Sequence, residues 1–285
     1  MRRIAIATSL SDDVYLDPDA ELLLDALRDV GIEGSMCVWN DGSIIWDDFE
    51  ITVIRSTWDY TRDRTGYLAW ARGIERLLNP YPIIEYSTDK HYLRDLERRS
   101  YRIVPSTFCD VGEEPAFPDG PFVVKPTVGA GSIDADKYTR DDHVRAREHV
   151  RRLHSNGRDV MVQPYVASID DDGERALVFI DGSFSHAMTK RAMLNTAADD
   201  RDALFRREQM SVATPEPDAV AFAGALLSEE PFRGLLYARV DLVRTAEGWA
   251  IMELELVEPS LFLAYDSDAP RRMAQAIAAR LHSSR

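Results

Sequence analysis

Three carboxylates near the end of the chain have the spacing of a cation site. In Tyr237-Ala238-Arg239-Val240-Asp241-Leu242, the two-residue period of a strand sets Arg239 and Asp241 on one face and Ala238, Val240 and Leu242 on the other. In Ile251-Met252-Glu253-Leu254-Glu255-Leu256, Glu253 and Glu255 share a face opposite Met252, Leu254 and Leu256. Pairing the two stretches as a hairpin through Thr245–Gly248 gathers Asp241, Glu253 and Glu255 on one polar surface beside Arg239. Carboxylates crowded on a half-buried sheet repel one another unless a cation lies between them. Hard divalent ions, Mg2+ above all, prefer such oxygen ligands. The competing reading is a solvated acidic face, but Lys or Thr would then alternate with Glu, and here the carboxylates stand with a single arginine.

A second element could meet a polyphosphate. Lys125 ends the apolar run Phe122–Lys125 and is followed by Pro126-Thr127-Val128-Gly129-Ala130-Gly131-Ser132. Such a strand-end lysine and glycine loop can set an ammonium and several backbone N–H groups against phosphate oxygens. The loop is not a Walker A motif, which needs Gly-Lys-Ser/Thr after it, nor a dinucleotide fingerprint, since the third glycine is missing. Alone it reads equally well as a surface turn. Together with the carboxylate hairpin it suits a polyphosphate.

The elements that must position these groups fall into two styles. Ile4–Thr8, Met36–Trp39, Ile51–Arg55 and Pro82–Glu85 read as strands, alternating with helices over Asp17–Val30 and Tyr67–Leu78, which predicts a parallel, doubly wound sheet. Asp89–Arg99 reads as a charged helix beginning with Lys90, Arg140–His154 as a polar helix, and Val160–Val166 as a strand. From Ala176 the pattern is antiparallel, with a hairpin of Leu177–Ile180 and Ser183–Lys190 around Asp181-Gly182, which supplies tight-turn geometry. Pro270–Leu281 closes the chain as a helix, and the polar stretch Asn195–Gln209 reads as a mobile loop. The fold class is α/β followed by α+β.

Composition narrows the partners. With 34 basic against 49 acidic residues and a net charge of −15 over 285 residues, the chain does not suit a nucleic-acid surface. Cys37 and Cys109 stand far apart without a CxxC, so neither a disulfide scaffold nor a zinc site is expected. The N-terminal apolar run is too short for a signal peptide and no stretch reaches membrane-spanning length, so a cytoplasmic location is expected.

In this order of features the chain resembles the ATP-grasp superfamily along nearly its whole length. The resemblance implies an N-terminal doubly wound domain over 1–87, a central ATP-binding lobe over 88–165 and a C-terminal lobe over 166–285, the two lobes gripping ATP between them. It implies that Lys90 and Lys125 are the phosphate-binding lysines and that Gly129, Gly131 and Ser132 belong to the loop covering the phosphates. Gln163-Pro164-Tyr165-Val166 matches the strand whose edge reads adenine, and Lys190 a further nucleotide contact. Arg239 and Lys125 would be catalytic, while Asp241, Glu253 and Glu255 would hold two Mg2+ ions. The family's usual Glu-x-Asn departs here to Glu253-Leu254-Glu255, and the usual glycine after Pro259 is Ser260.

A narrower likeness is carried by Arg55-Ser56-Thr57-Trp58-Asp59-Tyr60, Gly173-Glu174-Arg175 and Met252–Leu263. These stretches look like a stand-alone ATP-grasp group that includes the cyclo-ligase of D-cycloserine biosynthesis. The likeness implies a small amino-acid-like substrate, with Arg55, Trp58, Tyr60, Arg175 and Ser260 around it. Arg175 would clamp a carboxylate in bidentate fashion. Trp58 and Tyr60 serve equally well as packing between lobes. The implied chemistry is ATP-driven formation of an acylphosphate and then an amide, most simply by intramolecular closure of O-ureido-D-serine. A two-substrate amino-acid or peptide ligase and a catalytically idle nucleotide-binding module remain open, and a homodimer would fit the superfamily.

Overall fold

The first strands place their apolar residues on both faces of a parallel sheet, so helices must cover both sides. This chain, described by a computed structural model over residues 2–10, 17–191 and 209–282, does so. Strands β1 (Arg2–Thr8), β2 (Ile32–Val38), β3 (Thr52–Ser56) and β4 (Leu77–Leu78) pair in the order β2-β1-β3-β4, all parallel. Helix α1 (Ala20–Asp29) buries Leu23 and Leu27 on one face, and α2 (Arg64–Gly73) buries Tyr67 and Ala71 on the other. The Asp63 carboxylate caps α2 by accepting from the Gly66 N–H at 2.8 Å.

Two expected elements differ. The helix expected to run to Leu78 stops at Gly73, and Leu77–Leu78 joins the sheet edge as its fourth strand. The strand expected over Pro82–Glu85 is instead helix α3 (Tyr81–Ser87), with Pro82 in its first turn, where no N–H is needed. Ile83 and Ile84 mimic a strand because the helix is wedged between two cores and buries both. Lys90 lies in the turn before α4 (Tyr92–Arg98) rather than within it, and its N–H donates to Thr127 O at 2.9 Å.

Strands β5 (Thr107–Cys109), β6 (Phe122–Pro126), β7 (Asp136–Tyr138) and β8 (Val160–Pro164) form an antiparallel sheet ordered β5-β8-β6-β7. Helix α5 (His143–Ser155) covers it, packing Ala146, Val150 and Leu153 on Phe122, Val124, Val160 and Val162. After the short α6 (Ser168–Asp171), strands β9 (Glu174–Ile180), β10 (Ser183–Arg191), β11 (Gln209–Ala213), β12 (Tyr237–Thr245) and β13 (Gly248–Glu255) form an antiparallel sheet ordered β11-β10-β9-β12-β13. The β9–β10 turn takes Asp181 at φ 52° and Gly182 at φ 74°, the positive pair that a two-residue hairpin requires. The expected loop Asn195–Gln209 lies outside the described residues apart from the backbone of Gln209.

This five-stranded sheet organises the molecule. On one face Leu177, Phe179, Val240 and Leu242 pack with α4 and with α7 (Pro217–Leu227). The other face is divided. Val178, Ile180 and Tyr237 pack against the first sheet and α8 (Ala269–His282), which shares a core with Ile4, Ile6 and Leu27. The remainder of that face carries the charged side chains Glu174, Lys190, Arg239, Asp241, Glu253 and Glu255. Among the described residues no helix is long and apolar enough to cross a membrane.

Asn79 fastens the first sheet to this one. Only 1% exposed, it donates to Tyr237 O at 2.9 Å and Leu256 O at 2.8 Å, and accepts from Leu236 N at 2.8 Å. We expect Asn79→Ala to lower unfolding free energy by about 3 kcal/mol, since buried backbone groups lose their partners. Urea titration checks this, with a shifted midpoint and an unchanged slope as the expected outcome.

Candidate active site

A cavity of about 490 Å³ opens over the charged part of the sheet face. Its floor comes from β12 and β13, whose register sets Arg239 opposite Glu255 and Asp241 opposite Glu253. A bulge follows, because Asp241 pairs with Glu253 and Leu242 with Ile251. The extra residue, Met252, thereby packs beside Val166 and Ile169 at the cavity instead of joining Leu254 and Leu256 in the core of the far face.

Every floor carboxylate is held by a cation of the chain. Arg239 donates Nε to Asp241 Oδ1 and Nη2 to Asp241 Oδ2, both at 2.9 Å, and Nη2 also reaches Glu255. Lys190 bridges Asp241 and Glu174, the latter at 2.6 Å, and Lys125 pairs with Glu253 at 2.7 Å. Burial alone would raise the Asp241 carboxyl, but Arg239 and Lys190 outweigh it and hold it below the usual range. Burial likewise opposes ionisation of Glu253, and Lys125 and Lys90 overcome it. Glu255 is pushed up to about 7 by burial, with Arg239 countering and Asp241 adding. Burial pushes Glu174 to about 8 despite Lys190, and burial with the Glu255 charge pushes Glu258 to about 8.

Around the site Glu174, Asp241, Glu253, Glu255 and Glu258 face Lys90, Lys125, Lys190, Arg191 and Arg239. Among the described residues no group of three His, Cys, Asp or Glu is gathered as a ready metal cage. Mg2+ does not need one, because it takes one or two carboxylates together with substrate phosphates and water. The hard oxygen donors fit that ion. Asp241, Glu253 and Glu255 could hold it once Lys125 and Lys190 turn to an incoming polyphosphate.

The expected phosphate loop roofs this floor. Gly129, Gly131 and Ser132 line the cavity, and Lys90 Nζ donates to Gly129 O at 2.8 Å. Gly131 at φ 61° and Ser132 at φ 60° turn the chain, while Asp134 anchors the loop base to Arg152 and Arg158. At the far end Gln163, Tyr165 and Val166 also line the cavity. The Gln163 side chain is spent on Ser106 Oγ at 2.9 Å, so the strand edge there offers backbone. Lys137 Nζ lies 3.2 Å from the Tyr165 ring centroid.

The residues expected around a substrate divide. Trp58, Tyr60 and Ser260 line the cavity; Arg55 and Arg175 do not. Arg55, 1% exposed, donates Nη1 to Pro259 O at 3.0 Å and reaches Asp19 at 3.4 Å and Asp17 at 3.5 Å, so it joins three chain segments. Arg175 follows Glu174 on β9, and strand alternation turns it away, toward Asp172 O and Glu216 at 3.4 Å. Sequence reasoning missed Glu174 and Glu258. Counting outward from the two-residue turn sets Gly173 opposite Lys190, and a bulge between Phe184 and His186 shifts the register to bring Glu174 there.

Known proteins share this fold. Residues 4–79 match the family model described as the N-terminal domain of the D-cycloserine synthetase DcsG. The cycloserine biosynthesis protein DcsG of Streptomyces lavendulae is 38% identical over 298 residues, covering 98% of this chain and 99% of that one. The crystal structure of D-cycloserine synthetase DcsG superposes with a TM-score of 0.84 at 36% identity, over 98% of this chain and 99% of the other. D-alanine–D-alanine ligase from Bacillus anthracis complexed with ATP shares the fold, with a TM-score of 0.67 at 15% identity over 99% and 98% of the two chains.

Lys125 gives a direct test of the phosphate end. We expect Lys125→Ala to raise the dissociation constant for Mg-ATP roughly 10- to 100-fold, the worth of a charge-assisted contact. Calorimetry measures it, and an unchanged constant would remove Lys125 from the nucleotide site.

Proposed function

The chain belongs to the family of the D-cycloserine synthetase DcsG, one of the ATP-grasp ligases, and from that premise we propose that it closes O-ureido-D-serine on itself during D-cycloserine formation. It is an ATP-dependent ligase that joins a carboxylate to a nitrogen. The proposal rests chiefly on one observation, the pairing of Arg239 with Glu255 and Asp241 with Glu253 on the floor of a cavity that also holds Lys90, Lys125 and Lys190.

In this reading the lysines leave their present partners for the phosphates of ATP. Lys90 exchanges Gly129 O, and Lys125 exchanges Glu253, for phosphate oxygens. Glu253, so released, would hold two Mg2+ ions together with Asp241 and Glu255, and the metal would neutralise phosphate charge. Arg239 remains fixed through Asp241 and points the rest of its guanidinium at the transferred phosphoryl group, where charge grows. The substrate carboxylate attacks the γ-phosphorus and ADP departs; the oxygen-linked ureido nitrogen then loses its proton and displaces phosphate from the acylphosphate, and water removes the carbamoyl group from the closed ring as carbamate, which falls to CO2 and ammonia. No protein nucleophile is needed. The Gly129–Ser132 loop keeps water from the acylphosphate, which water would otherwise hydrolyse. Residues 88–165 serve as the lobe that carries this loop, and 1–87 supplies Trp58 and Tyr60. The setting is cytoplasmic, in keeping with two unpaired cysteines.

The test is ADP release across a panel of amino acids including O-ureido-D-serine, with products identified by mass. We expect O-ureido-D-serine to be consumed and a product of the mass of D-cycloserine to appear. A product joining two molecules would replace closure by two-substrate ligation. Glu253→Ala and Asp241→Asn should each cut turnover roughly 10³-fold, with circular dichroism unchanged. Undiminished turnover in both would overturn the placement of the reaction on this floor.

A further inference from the structure

Beyond Glu255 the chain is held in an unusual way. Six successive carbonyls each accept from a different side chain: Leu256 from Asn79 at 2.8 Å, Val257 from Tyr237 at 2.6 Å and Glu258 from Trp58 at 2.8 Å. Pro259 accepts from Arg55 at 3.0 Å, Ser260 from Arg239 at 3.2 Å and Leu261 from His186 at 2.8 Å. These donors come from the first sheet, from the loops beside it and from the five-stranded sheet. Fixing a non-strand segment so completely positions the side chains that it presents. Two of them, Glu258 and Ser260, face the cavity.

Glu258 differs from its acidic neighbours. Glu174, Asp241, Glu253 and Glu255 are each ion-paired, whereas the Glu258 carboxylate makes no ion pair with any described residue. Lys90 and Arg239 act on it only through space, and burial with the Glu255 charge lifts it to about 8. A half-buried carboxylate without an ion-pair partner is costly until a cation reaches it. Its neighbours Trp58 and Tyr60 present aromatic walls, which suit an ammonium better than a hydrated divalent ion needing several oxygen ligands.

We infer that Glu258 is the subsite for the α-ammonium of the amino-acid substrate, orienting the adjacent carboxylate toward the phosphate end of the cavity. The inference rests on the amino-acid-like substrate proposed above. It makes Glu258 a specificity residue: a substrate without the ammonium leaves the carboxylate unpaired and is rejected. The role of Trp58 and Arg55 is then to hold the backbone that carries it.

The experiment compares O-ureido-D-serine with its desamino counterpart, in wild type and in Glu258→Gln and Glu258→Asp, by coupled ADP release. Wild type should prefer the amino substrate roughly 100-fold in kcat/KM, and Glu258→Gln should bring that preference close to unity, chiefly through KM. Glu258→Asp should restore part of it, and ADP affinity by calorimetry should stay within about twofold in both variants. An undiminished preference in Glu258→Gln, or a fall in kcat alone with KM unchanged, overturns the inference. If wild type does not turn over O-ureido-D-serine, the cyclo-ligase reading fails first. The amino and desamino forms of whichever panel member releases ADP then decide the role of Glu258 separately.

Discussion

Asp241 has no contact with solvent and yet stays ionised, because Arg239 and Lys190 grip it from two sides. An uncompensated carboxylate at that depth would cost several kcal/mol, so the strands that supply its partners cannot slip. The ionic chain runs from Glu174 on β9 through Lys190 on β10 and Asp241 and Arg239 on β12 to Glu255 on β13. A one-residue slip of any of these strands would turn its charge into the opposite, apolar face. The same constraint prepares the chemistry: cations that must be present to tolerate the buried acids are the cations a polyphosphate can recruit.

The second constraint is backbone fixation. Where the sheet ends, side chains from the first sheet and its flanking loops take over as hydrogen-bond donors, from Asn79 at Leu256 to Arg55 at Pro259. The first sheet is therefore more than a neighbour of the catalytic floor. It sets the position of the segment that borders the cavity on its side, and it contributes Trp58 and Tyr60 to the same wall.

Much of this was legible in the sequence. The alternation in Arg239–Leu242 and Met252–Leu256 placed the charged floor without any long-range information, because period two is a local property. The Asp181-Gly182 hairpin was legible for the same reason. What escaped depends on irregularities or on distant partners. Met252 and Glu174 reach the cavity through bulges, which shift registers that alternation alone cannot foresee. Arg55 carries the same five donors whether it binds a substrate or Pro259 O and Asp19, so only the assembled fold shows which. Ile83 and Ile84 read as strand because a doubly buried short helix and a buried strand have the same composition.

The packing of α8 on α1 and β1 has a consequence for how the molecule is made. Ile4 and Ile6 share their core with Met273, Ile277 and Leu281, which lie far later in the chain. Those partners are synthesised long after the strands, so one side of the first sheet is only partly covered, by α1, while the intervening residues are made. The sheet can collapse early on α2, but its α1 side waits for the C-terminal helix. Such far-separated contacts slow folding and leave apolar strands exposed meanwhile. The first sheet therefore completes its packing only after α8 has been made.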